Sequence, residues 1–431
     1  MTRDCKKTST WHSAWLVLSV LSCGSLPRVI AGNDPQYMPA AKRLCHEMDA
    51  KICVQWHWDD YEKWTKQMAE YFSEKDFVYD FSSPDSPYVG IAAWWGGEHI
   101  PWNKAFPNTT FAAGSGFIEA GGEELHTVTT YATAAMQADF KGIPHRHRGT
   151  GERLNVTLVD LDFYKVGMNG EGKFRILYNA CMVDLYSLMV QAGYRLLDSP
   201  SMGGLVEGSY WPPRTMAGVP APNSQFVKHS ETATSEGFFD KFLSALFEGS
   251  AVGSAVETFE SFSTRMERFL HTDAILYANP LGIGRAQGRE QALELLFEMF
   301  VHNFSARKLE READNFVRVC EGLLCGVHGY QSGAQIEPWL GAGPVAVSRL
   351  SARIDLRFAL HVNLYVQSRG VGIDTLSEGA VALDLYLLFD IPHAVKQMGR
   401  DLFAEIAQLR QEEEESTNRN WEVGFEPELV S

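Results

Sequence analysis

From Arg353 to Gln367 the sequence RIDLRFALHVNLYVQ alternates almost without fault. Ile354, Leu356, Phe358, Leu360, Val362, Leu364 and Val366 fall on one face, and Arg353, Asp355, Arg357, Ala359, His361, Asn363 and Tyr365 on the other. A period of two predicts a long β-strand. Some two hundred residues earlier LNVTLVDLDFYKV keeps the same period, with Asp160, Asp162 and Tyr164 sharing a face with Leu154, Val156 and Leu158. Helical stretches precede both strands: YEKWTKQMAEY at 61–71 in the first half, and FFDKFLSALF at 238–247 followed by 255–270 in the second. Each half then writes a short strand ending in a Pro- and Gly-rich turn, FVYDFSSPDSPYVG and AILYANPLGIGRAQG, a further helix, and the long strands. Helices first and a curved antiparallel sheet afterwards predict an α+β unit, used twice.

A repeated phrase supports the duplication. VDLYSLMVQAG at 183–193 and FDIPHAVKQMG at 389–399 each close an apolar run with Asp, place Gln seven residues on and place Gly nine residues on. Asp184 and Asp390 are therefore helix N-caps first, their carboxylates accepting backbone N–H bonds; capping lowers a carboxylate pKa and opposes a role as acid. Gly suits the end of such a helix, and Pro392 its first turn. The predicted organisation is a first domain over 45–199, a Pro- and Gly-rich linker over 200–235, a second domain over 236–410 and a solvated acidic tail over 411–431.

At 431 residues the chain exceeds what one hydrophobic core usually serves. A formal charge of -16 without any cluster of Lys and Arg argues against a nucleic-acid partner. Residues 1–31 carry Arg3, Lys6 and Lys7 before the apolar run AWLVLSVLSC, the layout of a signal peptide, so the expected route is secretory, with a cytoplasmic protein as the alternative. No later stretch reads as a membrane span. Removing the leader leaves Cys45, Cys53, Cys181, Cys320 and Cys325, an odd count without a CxxC pair, read as mostly buried thiols with Cys320 and Cys325 the exception to watch. Sequons occur at Asn108-Thr109-Thr110, Asn155-Val156-Thr157 and Asn303-Phe304-Ser305. His145-Arg146-His147-Arg148 lacks a third metal ligand nearby, and GIGRAQG misses the dinucleotide spacing by one residue. Neither a metal nor a cofactor is expected.

WWGGEHIPWNKAFPN, GIPHRHRGTGERL, DFYKV and VDLYSLMVQAG in the first half, and ANPLGIGRAQGREQALE, PWLGAGP and FDIPHAVKQMG in the second, occur in an order that resembles the SnoaL-like polyketide cyclases of the nuclear-transport-factor-2-like superfamily. The resemblance implies two cone-shaped domains, each a bent antiparallel sheet wrapped around helices and enclosing a pocket. It implies aldol cyclisation or isomerisation of a small apolar carbonyl compound without a cofactor. Non-catalytic ligand binding or a scaffold role is the alternative, with the two domains paired through their sheets or the chain forming a homodimer. In catalytic relatives a His on a late strand works with an Asp following a Trp on the next. Here the His place falls on Asp162 and Asn363, and the Trp-Asp pair is replaced by Ala180-Cys181 and Tyr386-Leu387.

Aligning DFYKV with NLYVQ sets Asp160 against His361, Asp162 against Asn363 and Tyr164 against Tyr365. Enolate chemistry needs a base beside an acidic C–H and a donor for the developing oxyanion, and a carboxylate in an apolar pocket can be that base because desolvation raises its pKa. Asp162 is the expected base of the first half, with Asp160 as a neighbour whose charge raises one pKa further. In the second half His361 and Tyr365 are expected to exchange a proton and donate a hydrogen bond. Asp184 and Asp390 stay in the catalytic set behind them. Tyr164, Asn363, Tyr365, His328 and His99 are the expected pocket lining.

Overall fold

The computed structural model describes residues 38–55, 60–83, 85–111, 117–198, 229–247, 257–343, 353–366 and 380–423. Residues 1–37, most of the expected linker and the last residues of the chain lie outside them.

Two seven-stranded sheets form, one from each half. The first holds β1 (Val78–Phe81), β2 (Tyr88–Val89), β3 (Thr110–Phe111), β4 (Phe117–Gly121), β5 (Leu125–Ala135), β6 (Asn155–Met168) and β7 (Phe174–Val183) in the order β2-β1-β7-β6-β5-β3, with β4 also on β5. The second holds β8 (Leu270–Ala278), β9 (Gly284–Gln287), β10 (Phe304–Leu309), β11 (Val317–Glu321), β12 (Leu324–Gln335), β13 (Arg353–Val366) and β14 (Ala380–Phe389) in the order β9-β8-β14-β13-β12-β10, with β11 also on β12. The topologies are identical, down to the parallel pairs β1–β7 and β8–β14 in otherwise antiparallel sheets. The α+β duplication read from the sequence is the architecture found.

The repeated phrase explains itself in hydrogen bonds. Asp184 and Asp390 cap the helices Leu185–Gln191 and Ile391–Gln397, accepting from the Ser187 and His393 backbone N–H at 2.9 and 3.2 Å. The Gln amides grip a strand backbone on both sides. Gln191 accepts from Thr157 N at 2.8 Å and donates to Thr157 O at 3.0 Å, and Gln397 does the same to Asp355 at 2.9 and 2.9 Å. Gly193 and Gly399 leave their helices at φ of 86° and 92°, where a side chain would be strained.

That grip fixes the true equivalence of the long strands. Thr157 matches Asp355, Asp160 matches Phe358, and the bulges after Lys165 and Asn363 then coincide. The expected alignment, Asp160 on His361, is three residues out. An odd slip moves every side chain to the opposite face of the sheet.

Each sheet buries one face against its own helices and the other against its twin. Val156, Leu158, Tyr164 and Val166 of β6, and Leu356, Phe358, Leu360 and Val362 of β13, belong to the main core inside the units. Val159, Leu161 and Phe163 meet Ala359, Tyr386 and Leu388 in a second core between the sheets. Lys42 to Glu321 at 2.7 Å ties the units together at the margin of that contact.

Cys320 and Cys325, register partners on the β11–β12 hairpin, form a disulfide, while Cys45 and Cys181 are buried free thiols. The acidic stretch expected as a solvated tail is instead the exposed part of a helix, Leu402–Val423. Leu402 and Ile406 anchor it in the core, and Gln408–Glu412 and Gln411–Glu415 bonds at 2.8 and 3.0 Å run along its surface at helical spacing. No helix among the described residues is long and apolar enough to cross a membrane.

Candidate functional site

Strand alternation turns Asp160 and Asp162 into the first unit, and β7 presents Cys181 as the register partner of Asp162. One ligand atom of each of the three lies within 4.8 Å of the others. Asp162 and Cys181 are 7% and 5% exposed, and Asp160 is half-buried with its Oδ1 out of contact with solvent. From β1, Tyr79 hydrogen-bonds Cys181. Glu98 comes from the π-helical turn Trp95–His99, its carboxylate accepting from the Trp94 indole at 2.8 Å.

The electrostatics push protons onto this cluster. Burial, then the negative charge of Asp162, raises the Asp160 pKa well above the ordinary carboxylate value, against opposing bonds from Thr130. Burial raises Cys181 as well, with Asp162 and Asp160 adding to it, and Tyr79 rises for the same first reason. Glu98 is pushed up to about 7 by burial, in spite of the Trp94 bond and the Lys141 charge. Two close carboxyl groups that cannot both ionise hold one proton between them, which makes one a base and the other a donor. Asp160, Asp162 and Cys181 could also hold a cation, but only by shedding the proton of the carboxyl pair and that of the thiol.

The equivalent positions of the second unit carry none of this chemistry. Phe358 stands for Asp160, Leu360 for Asp162, Leu387 for Cys181 and Leu276 for Tyr79. All four belong to the filled core.

His361 lies on the other face of β13, between the sheets, because of the three-residue slip. Its Nε2 sits 2.6 Å from Thr127 Oγ1 and its Nδ1 2.5 Å from Thr129 Oγ1. Thr127 spends its proton on Asp162 O at 2.7 Å, so it accepts from Nε2–H, and Thr129 donates to Nδ1. One neutral tautomer satisfies every partner, and burial lowers the pKa to about 3. This is an interface histidine with no space beside it for a substrate: a Cβ on Gly326 would come within 2.7 Å of its ring.

His328, expected in the lining, is likewise between the sheets. Its Nδ1–H donates to Asn315 O at 2.8 Å, and its Nε2 accepts from Arg357 at 3.1 Å. Asn363 is buried on that same face and hydrogen-bonded to Tyr386. Tyr365 is 40% exposed beside His271 at the strand end. The slip takes His361, Asn363 and Tyr365 off the inward face of β13, and His328 on β12 is held between the sheets by its own bonds to Asn315 and Arg357.

Tyr164 does face inward, one alternation beyond Asp162, with its ring 5.7 Å from that of His126. His99 stacks on Trp95 at 4.9 Å in an aromatic cluster with Trp64, and burial lowers it to about 3, so it is neutral. Asp184 accepts from Asn279 of the second unit at 2.9 Å in addition to Ser187, and Asp390 lies 3.6 Å from Arg357. Asp184 is therefore also a stitch between the units, and Asp390 flanks Arg357 within the second. Their pKa values are raised, not lowered as expected, because burial outweighs the bonds they accept. In the HxH loop His145 bonds Asp139 at 2.6 Å and Arg146 donates to Gly151 O at 2.8 Å, while Arg148 reaches Glu413 of the C-terminal helix at 2.6 Å.

Sequence patterns pointed to Asp160 and Asp162 but missed Tyr79, Cys181 and Glu98. Cys181 had a signal, since it holds the place of the Asp in the cyclase pattern. Tyr79 had only the alternation of a short strand, and Glu98 none.

No protein-family model and no curated protein matches the chain. Solved structures do. A candidate SnoaL-like polyketide cyclase from Jannaschia sp. CCS1 is 15% identical with a TM-score of 0.28, over 37% of this chain and 97% of that one. A nuclear-transport-factor-2-like protein from Burkholderia xenovorans LB400 is 10% identical, TM-score 0.24, over 39% and 97%. An LEH-like epoxide hydrolase from M. tuberculosis is 15% identical, TM-score 0.24, over 41% and 98%.

Proposed function

We propose that the first unit performs cofactor-free acid/base chemistry on a small, largely apolar carbonyl compound, and that the second unit is its built-in structural partner. The observation that carries this is the asymmetry of the two interiors: an Asp pair with Tyr79, Cys181 and Glu98 on one side, Phe358, Leu360, Leu387 and Leu276 on the other. The ionised member of the Asp160–Asp162 pair takes the proton beside the carbonyl. The protonated member donates a hydrogen bond to the enolate oxygen, so the charge never stands alone in the low-dielectric interior. Closure onto a second carbonyl of the same molecule gives an aldol cyclisation, and return of the proton at another carbon gives an isomerisation. Glu98, ionising near neutrality within electrostatic reach of Asp160, is a third carboxyl that can take up or return the proton.

The test is a thermal-shift screen of aromatic, polyketide-like and terpenoid ketones. Binding compounds raise the melting temperature of the wild type and not of Asp162→Asn, while Leu360→Ala in the second unit keeps the response. A response that survives Asp162→Asn, or no response across the panel, overturns the proposal.

A further inference from the structure

The three sequons are not alike once folded. Asn303 is 6% exposed and donates from Nδ2 to Glu298 O at 3.1 Å, so its amide has no room for a sugar. Asn108 and Asn155 are exposed at one margin of the first sheet. Their arrangement is regular: Thr110 on β3, Thr133 on β5 and Thr157 on β6 form one row across three strands, and Asn155 stands opposite Ala135. β3 and β6 run in the same direction on either side of β5, so each Asn lies two residues before its own Thr in that row. Two strand spacings put Thr110 and Thr157 roughly 10 Å apart, with an asparagine two residues before each. Both, with Thr110, Thr133, Ala135 and Thr157, line one open cleft of about 470 Å³.

We infer that Asn108 and Asn155 are a paired N-glycosylation site and that Asn303 is unmodified. The Cys320–Cys325 disulfide is the independent observation that places the chain in an oxidising compartment, where such transfer takes place. In the transfer, Asn Nδ2 attacks the anomeric carbon of a lipid-diphosphate-linked oligosaccharide. The N–C bond forms, the bond from that carbon to phosphate oxygen breaks with its electron pair leaving on the lipid diphosphate, and one amide proton is lost to base; nothing is oxidised or reduced. The sugars then lie over β3, the edge of its sheet. The matching edge, β10, is protected by a bulge and by Lys308, whereas β3 is the uncharged pair Thr110-Phe111. Covering such an edge blocks strand-to-strand association.

The experiment expresses the full chain in a eukaryotic secretory cell and treats it with an amidase that removes N-linked glycans. Expected are a mobility shift of two glycans in the wild type, one in Asn108→Gln and in Asn155→Gln, none in the double variant, and two in Asn303→Gln. A wild type without a shift, a shift that survives the double variant, or a loss in Asn303→Gln overturns the inference.

Discussion

At Asp160 and Asp162 the side chains sit on the face that the strand period of two gave them, inside the first unit. Burial and mutual repulsion raise the Asp160 pKa. Replacing Asp162 by Asn removes the repulsion, so the Asp160 carboxyl is expected to titrate at lower pH in Asp162→Asn, read by carboxyl-carbon NMR. Glu98 gives a second residue-scale prediction. Its folded pKa of about 7 lies above the starting value of 4.5, so the folded state binds the extra proton. The associated stability is present below about 4.5 and is lost as pH rises through about 7, an effect of about 3 kcal/mol at most for a shift of that size. Glu98→Gln, which still offers Trp94 an acceptor, should therefore be more stable than wild type at pH 8 and similar to it near pH 4, by denaturant titration.

For the elements, the closing phrase was readable in full: Asp caps, Gln grips and Gly ends the helix. Each Gln makes two hydrogen bonds to a strand backbone, so Gln191→Ala and Gln397→Ala should each cost about 1–3 kcal/mol of unfolding free energy. Neither touches the acid pair. The long strands were readable only in part. Alternation separates the faces of a strand but does not say which face turns inward. It also does not fix the offset between two strands of the same period. Ile354, Leu356 and Phe358 looked like any core face, and nothing local distinguished an inward His361 from one held between sheets. The offset became visible only through Gln397 gripping Asp355 and the bulge at Asn363.

Across the whole molecule, the sheet-to-sheet contact is where charge has been buried. Arg357 of the second unit reaches Asp80 at 3.1 Å and donates to the Asp80 backbone carbonyl at 2.8 Å, with Tyr178 completing Asp80 at 2.9 Å. Arg357→Met leaves Asp80 without its cation and should cost about 3–5 kcal/mol, much of it recovered in the Asp80→Asn, Arg357→Met double variant. The same contact responds to acid. His328 and His361 are held neutral with pKa values of about 3 against an ordinary 6.5. A lowered histidine pKa means stability that is complete above about 6.5 and lost as pH falls toward 3. Calorimetry from pH 7 to pH 4 should show that loss, reduced in His361→Gln. The interface thus couples a unit with an ionisable cluster inside to one of the same topology whose equivalent positions are apolar.

Exchange of protons beside a carbonyl tests this division most directly, because it reports the base without requiring the natural substrate. Small apolar ketones are incubated with the protein in heavy water and followed by proton NMR. Exchange faster than buffer is expected for at least one compound class, abolished in the Asp160→Asn, Asp162→Asn double variant and retained in His361→Gln at a temperature where that variant is folded. Exchange no faster than buffer, or unchanged when both aspartates are replaced, would contradict it.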